Sequence, residues 1–273
     1  MEIDQSVATI LADYPQATVA ISVRDDHRSI SYDLNQDTVF HAASTMKVPV
    51  MIEVFRRVHS GALSLDDSLL VENAFRSIVD GSIYAIEDDT DDSIYERLGT
   101  RMSIRDLVFQ MITVSSNLAT NILIDHLSAE SVQKTAESLG VETMRVLRGV
   151  EDIKAFRQGL SNTATSRDLA VLLSRLASGT AVSEAIDRQM VAIMEAQQFN
   201  EMIPAGLPAA TTVAHKTGQI TEIHHDAAIV DVGKNPYVLV IMTRGIADEN
   251  RSATLGARIA AGVHTALRST GGP

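Results

Sequence analysis

Three short polar strings carry the chemistry open to this chain: Ser44-Thr45-Met46-Lys47, Ser115-Ser116-Asn117 and Lys216-Thr217-Gly218, in that order and roughly 70 and roughly 100 residues apart. A serine hydroxyl is a weak nucleophile until a base takes its proton. Lys47 lies three residues on, one turn along the same helix face, where its amine can approach the Ser44 hydroxyl. An amine acts as a base only when it is neutral part of the time, which burial or a neighbouring cation brings about by lowering its pKa. Lys216 is the candidate second cation. Ser115 can pass a proton between the nucleophile and a leaving nitrogen, and Asn117 can donate to a substrate amide carbonyl. Thr217 offers a hydroxyl, and Lys216 a charge, to a substrate carboxylate. Gly218 lets a substrate backbone come close to the chain. Each string also has a plain reading: Ser44 and Ser115–Asn117 as helix caps, Lys47 as a surface lysine, Lys-Thr-Gly as a strand end and turn.

These residues need a frame. Ile3, Val7, Ile10 and Leu11 predict a helix over 2–14, ended by Pro15; residues 17–23 and 28–32 read as hairpin strands joined at 24–27. Helical stripes follow over 48–58, 104–112, 119–127, 129–139, 166–176 and 185–197. The last third predicts strands over 211–215, 226–232 and 237–243, with Asp231-Val232-Gly233-Lys234-Asn235 as a hairpin turn, then a helix over 253–267. The expected fold class is therefore α/β plus all-α. Strands from both ends form one antiparallel sheet, flanked by the terminal helices and carrying a large helical insert. Residues 1–45 and 205–273 would form the sheet unit and 46–204 the helical unit, with the site at their junction. The acidic run Glu87–Glu96 reads as a solvated loop, since no EF-hand spacing supports a calcium site.

The bulk numbers narrow the function. The chain has 273 residues, 45% of them hydrophobic, enough for one compact domain or two joined subdomains. A net charge of −12 repels phosphate backbones and anionic bilayers, so neither nucleic acid nor a membrane is an expected partner. The absence of cysteine excludes disulfides, thiolate nucleophiles and zinc–thiolate sites. His215, His224, His225 and Asp226 lack metalloprotease spacing, so no metal or other cofactor is expected. No apolar run reaches the roughly 18 to 20 residues of a membrane span. Met1–Gln5 has no secretory pattern, which suits a soluble cytoplasmic protein, or a periplasmic or secreted one if a leader was trimmed.

Taken together, the three strings resemble those of the penicillin-recognising serine hydrolases, and within them the class A β-lactamases, over roughly residues 15–270. Residues Asn117–Leu123 resemble the helix after the family's second motif, and Pro204–Pro208 the segment leading to the third. The resemblance implies that Ser44 is acylated, Lys47 accepts its proton and Ser115 protonates the departing nitrogen. Asn117, Lys216 and Thr217 would hold substrate, and the N–H groups of Ser44 and Gln219 would form an oxyanion hole. Three places depart from the family. Ser116 stands where relatives carry aspartate. The deacylation loop, normally Arg-x-Glu-Pro-x-x-x-Asn, reads Arg148-Gly149-Val150-Glu151-Asp152-Ile153-Lys154-Ala155, with its glutamate one residue late and no proline. Glu151 is the candidate deacylating base and Asp152 the alternative; the plain reading of Glu151 is a salt bridge with Arg148 or Lys154. Where many relatives have an arginine for the substrate carboxylate, this chain has His225. It would bind more strongly when protonated, below about pH 6.5, unless His224 and His225 are simply a pair at a strand edge. The implied function is opening of a small β-lactam, or a related amide or ester, through an acyl-enzyme whose turnover is slow. A D-alanyl peptidase or small-ester hydrolase of the same fold, and a β-lactam binder that does not hydrolyse, are the alternatives. Members of this fold are usually monomers.

Overall fold

The computed structural model describes residues 2–233 and 235–269. Five strands make one antiparallel sheet: β1 Thr18–Asp25, β2 Ile30–Leu34, β3 Val213–Ile220, β4 Ile223–Val230 and β5 Tyr237–Arg244, in the order β2-β1-β5-β4-β3. The N-terminal hairpin joins the C-terminal strands through β1 and β5, with Ile21 opposite Ile241. Pairing carries β3 beyond its apolar start. Each residue from Val213 to Ile220 faces a β4 partner, Gly218 opposite His225 among them, so Lys-Thr-Gly lies within a strand and not at its end. The expected turn at 231–235 falls between β4 and β5; its Lys234 lies outside the described residues.

Helices α1 Glu2–Leu11, α2 Lys47–His59, α3 Ile104–Thr113, α4 Asn117–Leu127, α5 Ala129–Ser138, α6 Ile153–Arg157, α7 Ser166–Ala177, α8 Glu184–Glu195 and α9 Glu249–Ser269 surround the sheet. Strand alternation divides the core. Leu239 and Ile241 of β5 pack with Ile3, Val7 and Ile10 of α1 and with Leu255, Ile259 and Val263 of α9. Val238, Val240 and Met242 belong to the opposite cluster, with the side chains of α2, α3, α4 and α7. Sheet strands covered on both faces lose the polar alternation of a half-exposed strand, and seven of the eight β4 residues are buried.

At the centre of the helical layer is α2, buried at every position from Lys47 to Phe55. Pro49 falls in its first turn, where a missing N–H breaks no intrahelical bond. Three neighbouring helices start on side-chain caps: Ser103 accepts the Asp106 N–H, Ser116 the Ala119 N–H, and Thr165 forms a capping box with Asp168. Each is worth about 1 kcal/mol. A short pairing of Phe40–His41 with Thr163–Ala164 ties the approach to Ser44 to the segment after α6. Among the described residues no helix is long and apolar enough to cross a membrane.

Candidate active site

Ser44 sits in a 3-10 turn, Ala43–Met46, that runs directly into α2. Its side chain caps no helix and, among the described residues, hydrogen-bonds nothing; of Ser44, Ser115 and Ser116, it is Ser116 that caps a helix. The residue before it, Ala43, is held at φ +46°, a conformation that L-residues adopt at a cost. On the other side runs β3. A Cβ added to Gly218 would stand 2.9 Å from Ser44 N and 3.0 Å from Thr45 N, so glycine alone permits this approach. Because β3 is an edge strand, its outer edge pairs with no other strand among the described residues.

Behind Ser44 the three strings converge. Lys47 is fully buried, not a surface lysine, and its Nζ donates to Ser115 O (2.5 Å), Ser115 Oγ (3.1 Å) and Asn117 Oδ1 (2.9 Å). Lys216 Nζ, also fully buried, donates to Ser115 Oγ at 3.0 Å and to Thr217 O at 2.9 Å. With two lysine amines donating to one hydroxyl oxygen, the Ser115 proton is left to point elsewhere. Burial pushes the Lys47 amine down to about 7, against the pull of the Asp89 and Glu151 carboxylates. Burial, reinforced by the charge of Lys47, holds Lys216 well below the ordinary lysine range. Ser115 adopts φ +60° in the link between α3 and α4, which presents both its carbonyl and its hydroxyl to Lys47.

Sequence reasoning missed how α4 is held. Asp89, from the acidic run, accepts the N–H groups of Asn117 and Leu118, both at 2.8 Å, and Asp91 is buried and caps the turn at Asp92–Arg97. The run is thus a structural brace and not merely a solvated loop. Asp89 also brings a carboxylate to the place where Ser116 lacks one, its Oδ2 3.5 Å from Ser116 Oγ. These Asp89 contacts span 27 to 29 positions in the chain and have no local signature.

The loop carrying Glu151 is fastened mainly through its backbone. Asn121, one turn after Asn117 on α4, accepts the Val150 N–H at 2.6 Å and donates to Val150 O at 3.0 Å. Gly149 packs so tightly on the same amide that a Cβ there would lie 2.3 Å from Asn121 Oδ1. The i, i+4 asparagine pair was the available signal for this clamp. At the neck, Asn162 accepts the N–H groups of Leu147 and Arg148 and donates to Arg148 O. Val150 therefore occupies the clamped place two residues after the arginine, and Glu151 follows at φ +60°. Its carboxylate has no hydrogen-bond partner among the described residues. Burial and the charge of Asp88 push its pKa up, opposed by Arg148 and Lys47. The salt-bridge alternative fails: Lys154 pairs with Asp80, and Arg148 donates to Leu160 O and Gly149 O. Asp152 is buried and fully engaged, accepting from Ser77 Oγ, Ile78 N and Ala155 N, which removes it as the alternative base.

Ser44, Asn117, Glu151 and Gln219 line one cavity of about 480 Å³, with Phe156, Ile220 and Ile223 as apolar wall. His225 is not part of it. Wholly buried on β4, it accepts the Thr243 N–H at Nδ1 and donates from Nε2 to His41 O, while burial pushes its pKa down to about 4. A neutral imidazole with both nitrogens occupied cannot bind a substrate carboxylate. Nor is it at a strand edge, since β4 lies between β3 and β5. The other polar residues beside it also have separate partners: His215 pairs with Asp226, and His224 with Ser252.

An antiparallel sheet flanked by helices, with the three strings meeting at one cleft, defines the fold shared by class A β-lactamases and penicillin-binding proteins. The chain belongs to the beta-lactamase enzyme family, whose sequence model matches residues 2–267. A β-lactamase of Rhodobacter capsulatus is 33% identical over 151 residues, 55% of this chain and 48% of that one, so the match spans about half of that relative. The solved structure of PBP-A is similar with a TM-score of 0.85 at 26% identity, over 98% of this chain and 96% of that one. A mutant of PBP-A in an acyl-enzyme complex with penicillin G gives 0.84 at 26% identity over the same shares.

Proposed function

We propose that the protein is a serine hydrolase that opens β-lactam rings through an acyl-enzyme on Ser44, at the junction of a sheet unit (1–45 and 205–273) and a helical unit (46–204). The observation that carries this reading is the convergence of Lys47 and Lys216 on Ser115 Oγ behind the cavity that Ser44 lines. Neutral Lys47 takes the Ser44 proton as Oγ bonds to the lactam carbonyl carbon. The N–H groups of Ser44 and Gln219 stabilise the oxyanion. The C–N bond then breaks, and Ser115 delivers its proton to the nitrogen and recovers one from Lys47. Asn117 holds the side-chain amide of the substrate, and Lys216 with Thr217 its carboxylate. Ionised Glu151 takes a proton from water as the water oxygen bonds to the ester carbonyl carbon. When the C–O bond to Ser44 then breaks, Glu151 gives that proton to the departing Ser44 Oγ and both groups return to their starting states.

The family's glutamate place is filled by Val150, which favours slow release and keeps a second reading alive: a β-lactam binder that stops at the ester. Incubation with a chromogenic cephalosporin, following absorbance and intact mass together, decides. Hydrolysis that disappears in Ser44→Ala supports the hydrolase, and a persistent adduct without turnover supports the binder. Neither adduct nor turnover rejects both and turns attention to D-alanyl peptides and small esters.

A further inference from the structure

The mechanism leaves one cavity-lining group without a task. His41 precedes Ser44 by three residues, and its ring lies in the cavity wall, edge-on to Phe156 with centroids 6.0 Å apart. Its Nδ1 receives the backbone N–H of Ala43 at 3.0 Å. A backbone amide can only donate, so Nδ1 must carry the lone pair. The residue thus pinned is the one at φ +46°, immediately before Ser44. The carbonyl of His41 is fixed in turn by Nε2–H of His225, whose Nδ1 takes the Thr243 N–H. The Ala42 N–H, between them, donates to Asn162 O at 2.9 Å. A chain of hydrogen bonds therefore runs from the interior of the sheet, through two imidazoles, to the turn that presents Ser44.

We propose that His41 is a positioning residue for Ser44: its unprotonated Nδ1 holds the left-handed Ala43 turn, so that acylation requires a neutral imidazole at His41 as well as a neutral amine at Lys47. This rests on the reading of Ser44 as nucleophile. Protonation would set an Nδ1–H against the Ala43 N–H and release a backbone conformation that alanine does not favour. Arg148 on the loop faces His41 and, after burial, is the second cause that lowers its pKa. His225 approaches from β4 and stays neutral in the working range, Arg244 lies over the adjoining Phe40 ring, and Glu151 and Asp152 stand in the wall of the same cavity. The two histidines differ in kind. His225 is a buried fixed anchor, whereas His41 reaches the cavity and can titrate.

The test compares the rate of adduct formation with penicillin G, read by intact mass between pH 5 and pH 8, in wild type and three variants. Two required neutral groups give a log rate that falls with a slope of about one just below pH 7, steepening to about two as His41 protonates. His41→Phe keeps a ring against Phe156 but offers no acceptor, and should lose about 10- to 100-fold in acylation. His41→Asn restores an acceptor that does not titrate. It should recover most of that loss at pH 7.5 and show a slope of about one throughout. Adding Ala43→Gly to His41→Phe should also recover much of the rate, because glycine takes φ +46° without a pin. Wild-type rates in His41→Phe, or a slope of about two surviving in His41→Asn, would overturn the proposal. If wild type forms no adduct at all, the functional reading fails separately. Hydrogen exchange of the Ala43 amide then decides the pin: protection lost in step with the His41 imidazole titration, read by NMR, supports it, and protection independent of that titration rejects it.

Discussion

The two halves of the site are built differently. Around Ser115, two lysines and an asparagine come from α2, β3 and the start of α4, and each polar group has partners fixed by buried elements. Around Glu151, the backbone of a loop is clamped by Asn121 and Asn162, while the carboxylate itself is bonded to nothing among the described residues. The first region fixes the positions of its reacting atoms. The second fixes the path of the chain and leaves the reacting group one residue from the clamped place. Acyl transfer to Ser44 should therefore be robust and release from it marginal.

The sharpest break in this contrast is Lys47→Ala, which removes the proposed base and leaves Ser115 O and Asn117 Oδ1 without their buried donor. Adduct formation should fall by about a thousandfold or more, measured by intact mass with penicillin G. A rate within tenfold of wild type would mean that another group takes the Ser44 proton.

Glu151→Gln should act on the other half only. Acylation should stay within a few-fold of wild type, while the acyl-enzyme accumulates and turnover drops by about 10²- to 10³-fold. Unchanged turnover removes Glu151 from the reaction. The pH dependence separates the same two steps. As the proposed base Lys47 works when deprotonated, and burial pushes its pKa down to about 7, so acylation should rise with pH through that value and decline on the acid side. As the proposed deacylating base Glu151 works when ionised, and burial raises its pKa above the usual carboxylate value. Release should therefore also weaken on acidification. Pre-steady-state rates of the two steps across pH 4 to 8 check both signs.

Much of the first region was legible because its signals are local. Ser-x-x-Lys is one helical turn, and the apolar stripes predicted all the long helices within a few residues of their ends. The second region, and two details of the sheet, were not, for physical reasons that particular residues show. Asp152 looked like a free carboxylate, but it is consumed by contacts to Ser77 and Ile78, more than 70 positions away. His225 could be read as a carboxylate ligand or as half of a strand-edge pair because its burial depends on β4 being covered on both faces, which no single strand reveals. Lys-Thr-Gly seemed to end a strand because polar residues interrupt the apolar run; pairing to β4 supplied the missing incentive to stay extended.

Asn121→Ala probes the clamp in place of the base. Removing the amide strips Val150 N–H and C=O of their side-chain partner and should cost about 1 to 3 kcal/mol, read as a lower denaturant midpoint. If the loop's path sets the position of Glu151, the acyl-enzyme should also live longer by about tenfold, with the acylation rate nearly unchanged. Loss of stability without a change in lifetime would confine Asn121 to a structural role.

The smallest effect should come from restoring the family's residue in the first region. Ser116→Asp puts a carboxylate at a helix N-cap, ordinarily a favourable place, but here Asp89 already accepts the N–H groups of Asn117 and Leu118 within a few ångströms. The new charge would meet an existing one, so a loss of up to about 1 kcal/mol in stability is expected, with acylation altered less than about threefold. Asp89→Asn combined with Ser116→Asp should recover stability relative to Asp89→Asn alone, because the carboxylate would then return from the neighbouring position. Failure of that pair to compensate would show that Asp89 braces α4 for a reason other than its charge.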